Sequence, residues 1–256
     1  MWSWTLLAAG NVGPMNALCR KTRRLMGKEQ SAWSSGEDVA DAVRDAIQTI
    51  RDKDAELRVL RPHGYTKEQL FRKGKRELDE VSYQTLQGEF RKARLGVAVL
   101  VLGFDVDGEP RIFAVDETGS PKDFTNIGFW AIGSGGSPAL STLLFHNETS
   151  GMGFHDLLHR CIYHVLEAKF MADSSVGTVG KATILGVYAK GKNRLHLLPQ
   201  AIRSIRKLWL KRGAPRFPNG VVPLTEHLSQ YLVLDDTLRL ESDLSPELKR
   251  HFGDEG

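Results

Sequence analysis

A glycine-rich turn between an apolar run and a predicted helix is the first stretch whose spacing could do chemistry. Residues 129–140 read FWAIGSGGSPAL. Turns of this kind often cradle a phosphate with their backbone N–H groups. The turn lacks the lysine of a Walker phosphate-binding loop. The strand before it follows a predicted antiparallel hairpin, whereas a dinucleotide-binding turn belongs to a parallel βαβ crossover. The sequence therefore favours a packing role, in which small residues let a helix lie close to its strand.

A pair of histidines one helical turn apart suggests a zinc site. The run HDLLH places His155 and His159 on one face of a predicted helix, with Asp156 after the first histidine. Zinc metallopeptidases use a glutamate there, which reaches a metal-bound water more readily. The third ligand would be Glu167 or His164, and His164 points to a different side of the helix. Polar histidines beside an apolar stripe explain the same pattern, so we predict no metal and no cofactor.

Four acidic residues around a predicted hairpin turn suggest a calcium site: Asp105, Asp107, Glu109 and Asp116. Their spacing lacks the glycine and the terminal glutamate of a calcium-binding loop. Acidic residues also stabilise turns through bonds to their own backbone. We therefore predict that these residues form turns.

Composition and charge limit the class of protein. The chain has 256 residues, 41% of them hydrophobic and 26% charged, as in soluble globular proteins. The longest apolar runs reach about half of the ~20 residues that a membrane helix needs, and the start lacks the basic region of a secretory signal. We therefore predict a cytoplasmic protein without membrane contact. The net charge of +4 is spread over separate basic clusters, so nucleic acid is not an expected partner.

Hydrophobic periodicity predicts the elements that must position these residues. In chain order they are a strand, two helices, a long polar helical segment, three strands, two helices and a strand. Asp107-Gly108 predicts a hairpin between the first two of the three strands, and FTNIGFWAIG is the third. The last strand is KATILGVYAKG, and a basic amphipathic helix follows it.

This order predicts an α+β fold, a four-layer α-β-β-α sandwich of antiparallel sheets. We place one domain at residues 1–192, with a helical insert at 58–94 and a C-terminal extension at 193–256. In the extension, apolar residues of LLPQAIRSIRKLWLKRG are expected to pack while its basic residues stay in water.

The order of the short motifs resembles that of proteasome-type subunits, which are N-terminal-nucleophile hydrolases. The motifs lie in WTLLAAGNVGPMNAL, in LVLGFDVDGEPRIFAVDETGSPKDFTNIGFWAIGSGGSPALSTL and in MADSSVGTVGKATILGVYAKG. The resemblance covers residues 4–57 and 95–192. It implies two sheets between two helical layers and subunits assembled in stacked rings, as a homo- or hetero-oligomer.

The resemblance also implies a chemistry, nucleophilic acyl transfer on a peptide or protein substrate. Active members of the family expose a threonine at the chain start by self-cleavage, and its free amine serves as the base. By motif match, the N–H at Gly10 is the oxyanion donor. Ser134 and Asp173 match the positions that assist the nucleophile's amine.

The sequence departs from the family pattern at two places. Val176 stands where a serine is expected three residues after Asp173, and GTVG replaces the usual glycine pair. In the family the nucleophile precedes the AG turn, which this sequence already reaches at Gly10. Thr5 lies in a predicted apolar strand, so we do not expect it to be the nucleophile. We expect an incomplete form of a longer protein, or else a relative that no longer cuts peptides.

Three functional hypotheses follow from the sequence. The first is a subunit of a proteasome-like peptidase. The second is a non-catalytic assembly or scaffold subunit whose helical insert contacts partners. The third and weakest is a zinc-dependent hydrolase that uses the HDLLH helix.

Overall fold

The computed structural model of the protein describes residues 4–28, 35–149, 158–188 and 195–212. They fall into two compact units, one within residues 2–127 and the other within residues 128–256. The first unit contains β1 (Thr5–Gly10), α1 (Val12–Lys28), α2 (Gly36–Ala55), α3 (Lys67–Gln69), α4 (Lys75–Glu77), α5 (Glu80–Lys92), β2 (Val97–Phe104), β3 (Pro110–Asp116) and β4 (Lys122–Asp123). The second contains α6 (Gly136–Thr149), α7 (Leu158–Ser175), β5 (Gly186–Val187), β6 (Leu195–His196) and α8 (Pro199–Arg212). Among the described helices, none combines the length and the apolar composition that a bilayer crossing requires.

Helix α2 begins at Gly36, directly after a capping serine. The Ser35 side chain caps the helix by accepting a 3.2 Å bond from the Asp38 N–H. Glu37 and Asp38 also place negative charge at the positive end of the helix dipole. The apolar face of α2 packs on β2 and β3, and its members in the core are Val39, Ala40, Val43, Ala46 and Ile47.

Strands β1 to β4 form one antiparallel sheet in sequence order. The predicted hairpin between β2 and β3 is confirmed, with Gly108 at φ +86° in its turn. Val97, Val99 and Val101, at alternate positions of β2, face the core, and Leu100 between them is also buried. Helix α2 therefore covers one apolar side of the sheet.

The predicted third strand, FTNIGFWAIG, is wrong. Strand β4 ends at Asp123, and none of residues 124–133 is in a strand. Side-chain bonds end the pairing, because the Asp123 carboxylate accepts from the Thr125 N–H at 2.7 Å and the Thr125 hydroxyl accepts from the Ile112 N–H at 3.1 Å. Local bonds of this kind replace ladder bonds and turn the chain.

The polar segment after α2 is helical but packs more than its composition predicts. Helical turns at 56–60, 61–63 and 70–74 join α2, α3 and α4, and the chain becomes extended at Leu78 before α5. Asp79 caps α5 by accepting a 3.0 Å bond from the Ser82 N–H. A separate core lies beneath the segment, formed by Ala55, Leu60, Leu70, Leu86 and Phe90.

The second unit is built on α7, which packs against α6 and α8. The predicted packing of the basic helix is confirmed for Ile202, Ile205 and Trp209, which are buried in α8. Arg203 and Lys207 are exposed as predicted, whereas Arg206 is partly buried and pairs with Asp173. The predicted strand KATILGVYAKG is much shorter than expected. Only Gly186–Val187 pairs among its described residues, with β6 as partner.

The α+β class predicted from the element order is confirmed. The layer order of the sandwich and the domain boundary at residue 192 stay predictions.

Candidate functional site

Gly10 ends β1 in a backbone conformation that favours glycine. Its φ is +108°, and the next residue, Asn11, donates its N–H to the Gly96 carbonyl at 2.9 Å. A Cβ at Gly10 would lie 1.9 Å from that carbonyl oxygen. The AG turn is therefore fixed by close backbone contact in the first unit, and a side chain at this position cannot be accommodated without a shift.

The GSGG turn leads directly into α6 and packs closely. Gly133 has φ +90° and accepts a 3.0 Å bond from the Gly136 N–H. A Cβ at Gly135 would lie 2.8 Å from Val179 Cγ2 and 3.0 Å from Ala172 Cβ. The predicted packing of a helix against its strand is wrong, because the residues before the turn form no strand. Gly135 instead lies close to α7 and to Val179. Ser134 is exposed in the same turn.

Asp173, near the end of α7, lies at the centre of an ion-pair cluster. Its side chain has no exposed surface, and its two oxygens bind different cations. Oδ1 accepts from Lys169 Nζ, and Oδ2 accepts from Arg206 Nη1 of α8 at 3.0 Å. We call these three residues the Asp173 cluster.

The Asp173 cluster also holds the segment after α7. Lys169 Nζ donates to the Gly180 carbonyl at 2.7 Å, and Arg206 Nη1 donates to the Lys181 carbonyl at 3.3 Å. The Arg206 guanidinium lies 5.1 Å from the centre of the Phe170 ring. The Asp173 cluster therefore links α7, α8 and the backbone at 180–181. Each oxygen of the carboxylate accepts a hydrogen bond from one of the two cations.

The structure brings together two of the three candidate site segments. Ser134 adjoins Gly135 and Asp173 adjoins Ala172, and these two neighbours lie so close that a Cβ at Gly135 would be 3.0 Å from Ala172 Cβ. Gly10 belongs to the first unit. Val176, at the position of the expected serine, continues the last turn of α7 by donating its N–H to the Ala172 carbonyl at 3.0 Å.

A buried carboxylate, which the sequence suggested only as a zinc ligand, joins the three helices of the second unit. Glu167 of α7 is fully buried. Its Oε2 lies 2.7 Å from His146 Nε2 of α6, and its Oε1 accepts a 3.2 Å bond from Trp209 Nε1 of α8. The available signal was a glutamate among the apolar residues of α7, because a buried charge requires partners on neighbouring elements.

His164 stacks on His146 beside this carboxylate. Their ring centres are 4.0 Å apart and nearly parallel. Burial lowers the pKa of His164 to about 4, and the neighbouring charges of His146 and Arg160 act in the same direction. Burial also raises the pKa of Tyr163, with a further contribution from Glu167. His164 is therefore a neutral imidazole at neutral pH.

The zinc hypothesis gains no support from these positions. His155 and Asp156 lie outside the described residues. Glu167 is bound to His146 and Trp209. Within the described ranges, no group of three histidine, cysteine or acidic side chains could hold a metal ion.

Asp107 and Asp116 form turns at the hairpin, as predicted, whereas Asp105 makes a buried ion pair that the sequence did not predict. Asp105 is buried, where it accepts a 2.6 Å bond from the Gly36 N–H and binds Arg111. Asp107 accepts from the Glu109 N–H at 3.0 Å. Asp116 accepts from the Thr118 N–H at 2.7 Å.

Comparisons with known proteins agree with the motif order. Residues 65–179 match the family model described as Proteasome subunit. The fold is similar to that of the Anbu (Gly-1) mutant from Hyphomicrobium sp. strain MC1, with a TM-score of 0.54 and 14% identity over 82% of this chain and 77% of that chain. It is also similar to Anbu, an ancestral beta-subunit, from Yersinia bercovieri, with a TM-score of 0.53 and 13% identity over 84% of this chain and 81% of that chain. No curated protein matches the sequence.

The chain therefore has the fold of a proteasome-type subunit. The resemblance indicated by the sequence motifs is confirmed, and the solved structures that share the fold include Anbu proteins. The family match contains the hairpin, the GSGG turn and Asp173, and it also contains most of the segment predicted as an insert. A fold of this kind can carry different functions, so function must be argued from the site.

Proposed function

We propose that this chain is a subunit of a proteasome-like peptide hydrolase of the N-terminal-nucleophile type. The observation that carries the proposal is the close approach of Gly135 to Ala172, which brings the turn of Ser134 beside the helical turn of Asp173. These motifs are far apart in sequence, and the family pattern requires both beside the nucleophile. The packing supports their joint role.

The reaction is acyl transfer to an N-terminal threonine hydroxyl. The hydroxyl attacks the peptide carbonyl while the free amine accepts its proton, and the amine then passes this proton to the leaving nitrogen as the peptide C–N bond breaks. Water next attacks the ester of the acyl-enzyme, which releases the carboxylic acid product and restores the threonine hydroxyl. The backbone N–H at Gly10 stabilises the oxyanion. Ser134 orients the amine from its exposed position in the GSGG turn, and Asp173 stabilises the turn of α7 that lies beside it.

We also propose that the subunit assembles into a ring-type homo- or hetero-oligomer. In the second unit, α6 and α7 leave large apolar side chains exposed. Leu144 and Phe145 have 46% and 47% of their surface in contact with solvent, and Val165 has 42%. Apolar surface of this kind is typical of protein–protein contacts. Native mass spectrometry tests the proposal, and a monomer at micromolar concentration would contradict it.

A non-catalytic assembly subunit is the second candidate. It is favoured by the Asp173 cluster, because a carboxylate whose two oxygens bind Lys169 and Arg206 acts as a structural link. In this case the chain assembles with partners without hydrolysing peptides.

One experiment separates the two candidates. The natural protein is purified from its source, its N-terminal sequence and intact mass are determined, and fluorogenic peptides are tested as substrates. A mature chain that begins with threonine and loses activity on Thr→Ala substitution supports the hydrolase. A mature chain without an N-terminal nucleophile, pure and inactive as an oligomer, supports the assembly subunit.

A further inference from the structure

A cleft of about 400 Å³ opens in the first unit between the start of α1, the end of α2 and the residues before β2. Pro14, Ile50 and Leu95 form its apolar wall, and Asp54, Arg58 and Arg94 form its charged side. Its volume lies within the range of small-molecule sites, about 300–1,000 Å³.

The charged side of the cleft has an excess of one positive charge. Arg58 is paired with Asp54 and also donates to the Arg94 main-chain carbonyl at 3.3 Å. Within the described ranges the Arg94 guanidinium makes no ion pair, and the carboxylate it interacts with electrostatically, Asp116, does not line the cleft. Asn11, at the edge, accepts from the Gly13 N–H through its oxygen, and its amide nitrogen is a further hydrogen-bond donor.

An unpaired guanidinium beside an apolar wall has a definite chemical preference. Its parallel N–H groups match the two oxygens of a carboxylate, and they also bind phosphate oxygens. The aliphatic side chains of Ile50 and Leu95 favour a ligand with a branched apolar group. Asp54 is already neutralised by Arg58, so it does not repel the anion strongly.

We propose that this cleft binds a small organic oxyanion, in particular a carboxylate that carries a branched apolar group. Arg94 pairs with the carboxylate, Asn11 donates an additional hydrogen bond, and the wall of Pro14, Ile50 and Leu95 contacts the apolar group. The inference is independent of the proposed hydrolase function, because none of these side chains takes part in that reaction.

Binding is tested on the full chain with three probes. N-acetyl-leucine has the carboxylate and the branched group, N-acetyl-leucinamide has the same shape without the charge, and inorganic phosphate has the charge without the apolar group. Methyl NMR of Ile50 and Leu95 follows each titration at neutral pH. We expect saturable shifts of these methyl groups with N-acetyl-leucine and at least about tenfold weaker binding of the amide, because a charge-assisted bidentate pair is lost.

Two variants locate the interaction. Arg94→Gln removes the unpaired guanidinium but keeps the main-chain carbonyl that Arg58 binds, so we expect folding to be unchanged and binding to fall about tenfold. Arg91→Gln is the matched control, since Arg91 is exposed in the same segment and does not line the cleft. It should bind like the unaltered protein.

The outcomes are distinct. Equal affinity for the acid and the amide, unchanged affinity in Arg94→Gln, or no saturable shift with any probe would each overturn the proposal. Phosphate binding as tight as that of N-acetyl-leucine, with the same loss in Arg94→Gln, would support an oxyanion site and overturn the role assigned to the apolar wall. Thermal unfolding of Arg94→Gln within a degree of the unaltered protein shows that its binding defect is local.

Discussion

Replacement of Arg206 by methionine tests whether the Asp173 cluster holds α8 in place. Methionine keeps an apolar stem over Phe170 but removes the guanidinium that binds the buried Asp173 carboxylate at 3.0 Å. The loss of a charge-assisted bond costs about 1.5–3 kcal/mol, and the loss of the cation–π contact costs about 0.5–1 kcal/mol. Lys169 remains on the other oxygen and limits the damage. We therefore expect a cost of about 2–4 kcal/mol.

Amide hydrogen exchange measured by mass spectrometry is the assay, because it reports on α8 separately from the first unit. A cost of about 2–4 kcal/mol corresponds to exchange in the interior of α8 that is roughly 30- to 1,000-fold faster, if α8 opens locally. Arg203→Met is the matched control, since Arg203 is exposed on the same helix. An exposed substitution costs within about 0.5 kcal/mol, or about twofold in exchange.

Two results would refute the reasoning. Equal exchange in Arg206→Met and Arg203→Met would mean that Asp173 does not hold α8. Additive effects of Arg206→Met and Asp173→Asn in the double variant would mean that the two side chains do not interact, because contacting residues show coupling of about 0.5–3 kcal/mol.

Three further predictions concern the tight turns and the buried imidazole. Gly10→Ala places a Cβ against a carbonyl oxygen at φ +108°, so we expect it to lower the free energy of unfolding of the first unit by more than about 2 kcal/mol, measured in urea. Gly88→Ala is the control, because a Cβ at Gly88 in α5 meets open space, and this variant should be neutral or stabilising. Gly135→Ala should destabilise the second unit by about 1–3 kcal/mol and raise exchange in α6 and α7; unchanged exchange would show that Val179 and Ala172 yield freely. His164 has a pKa of about 4 in the folded protein against a usual 6.5, so between these pH values the unfolded chain binds more protons than the folded one. The contribution of His164 to the free energy of unfolding is therefore complete above about pH 6.5 and falls as the pH drops towards 4. Urea unfolding at several pH values measures how the free energy of unfolding depends on pH. His164→Gln should weaken this dependence, and His63→Gln, at an exposed position, should not. An equal pH dependence in both variants would contradict the role of His164.

Several parts of the fold could be predicted because their signals are local. The Asp107-Gly108 turn, the capped start of α2 and the apolar face of α8 all depend on residues within a few positions of one another. The family resemblance came from the order of the motifs, because each motif is short and only their order and spacing together are specific. Local chemistry and order together were sufficient for the α+β class.

The parts that failed depend on particular side-chain hydrogen bonds, some of them local and others between distant residues. FTNIGFWAIG has the composition of a strand, yet the Asp123 and Thr125 side chains bind the backbone and end β4. Glu167 resembles a possible zinc ligand in sequence, but His146 and Trp209 reach it from two other helices. Hydrophobic periodicity contains no information about such partners.

Asp173 shows how a motif and its surroundings constrain one another. The motif assigns it to the support of a nucleophile's amine, whereas Lys169 and Arg206 bind both of its oxygens. The two roles agree if the carboxylate acts at a distance, by fixing the turn of α7 that packs on Gly135 and thereby the adjacent Ser134. On this account Asp173→Asn in an active oligomer should reduce kcat together with exchange protection at residues 133–136. A loss of kcat with unchanged protection there would assign Asp173 a direct electrostatic role instead. Unchanged kcat with reduced protection would leave Asp173 a purely structural residue.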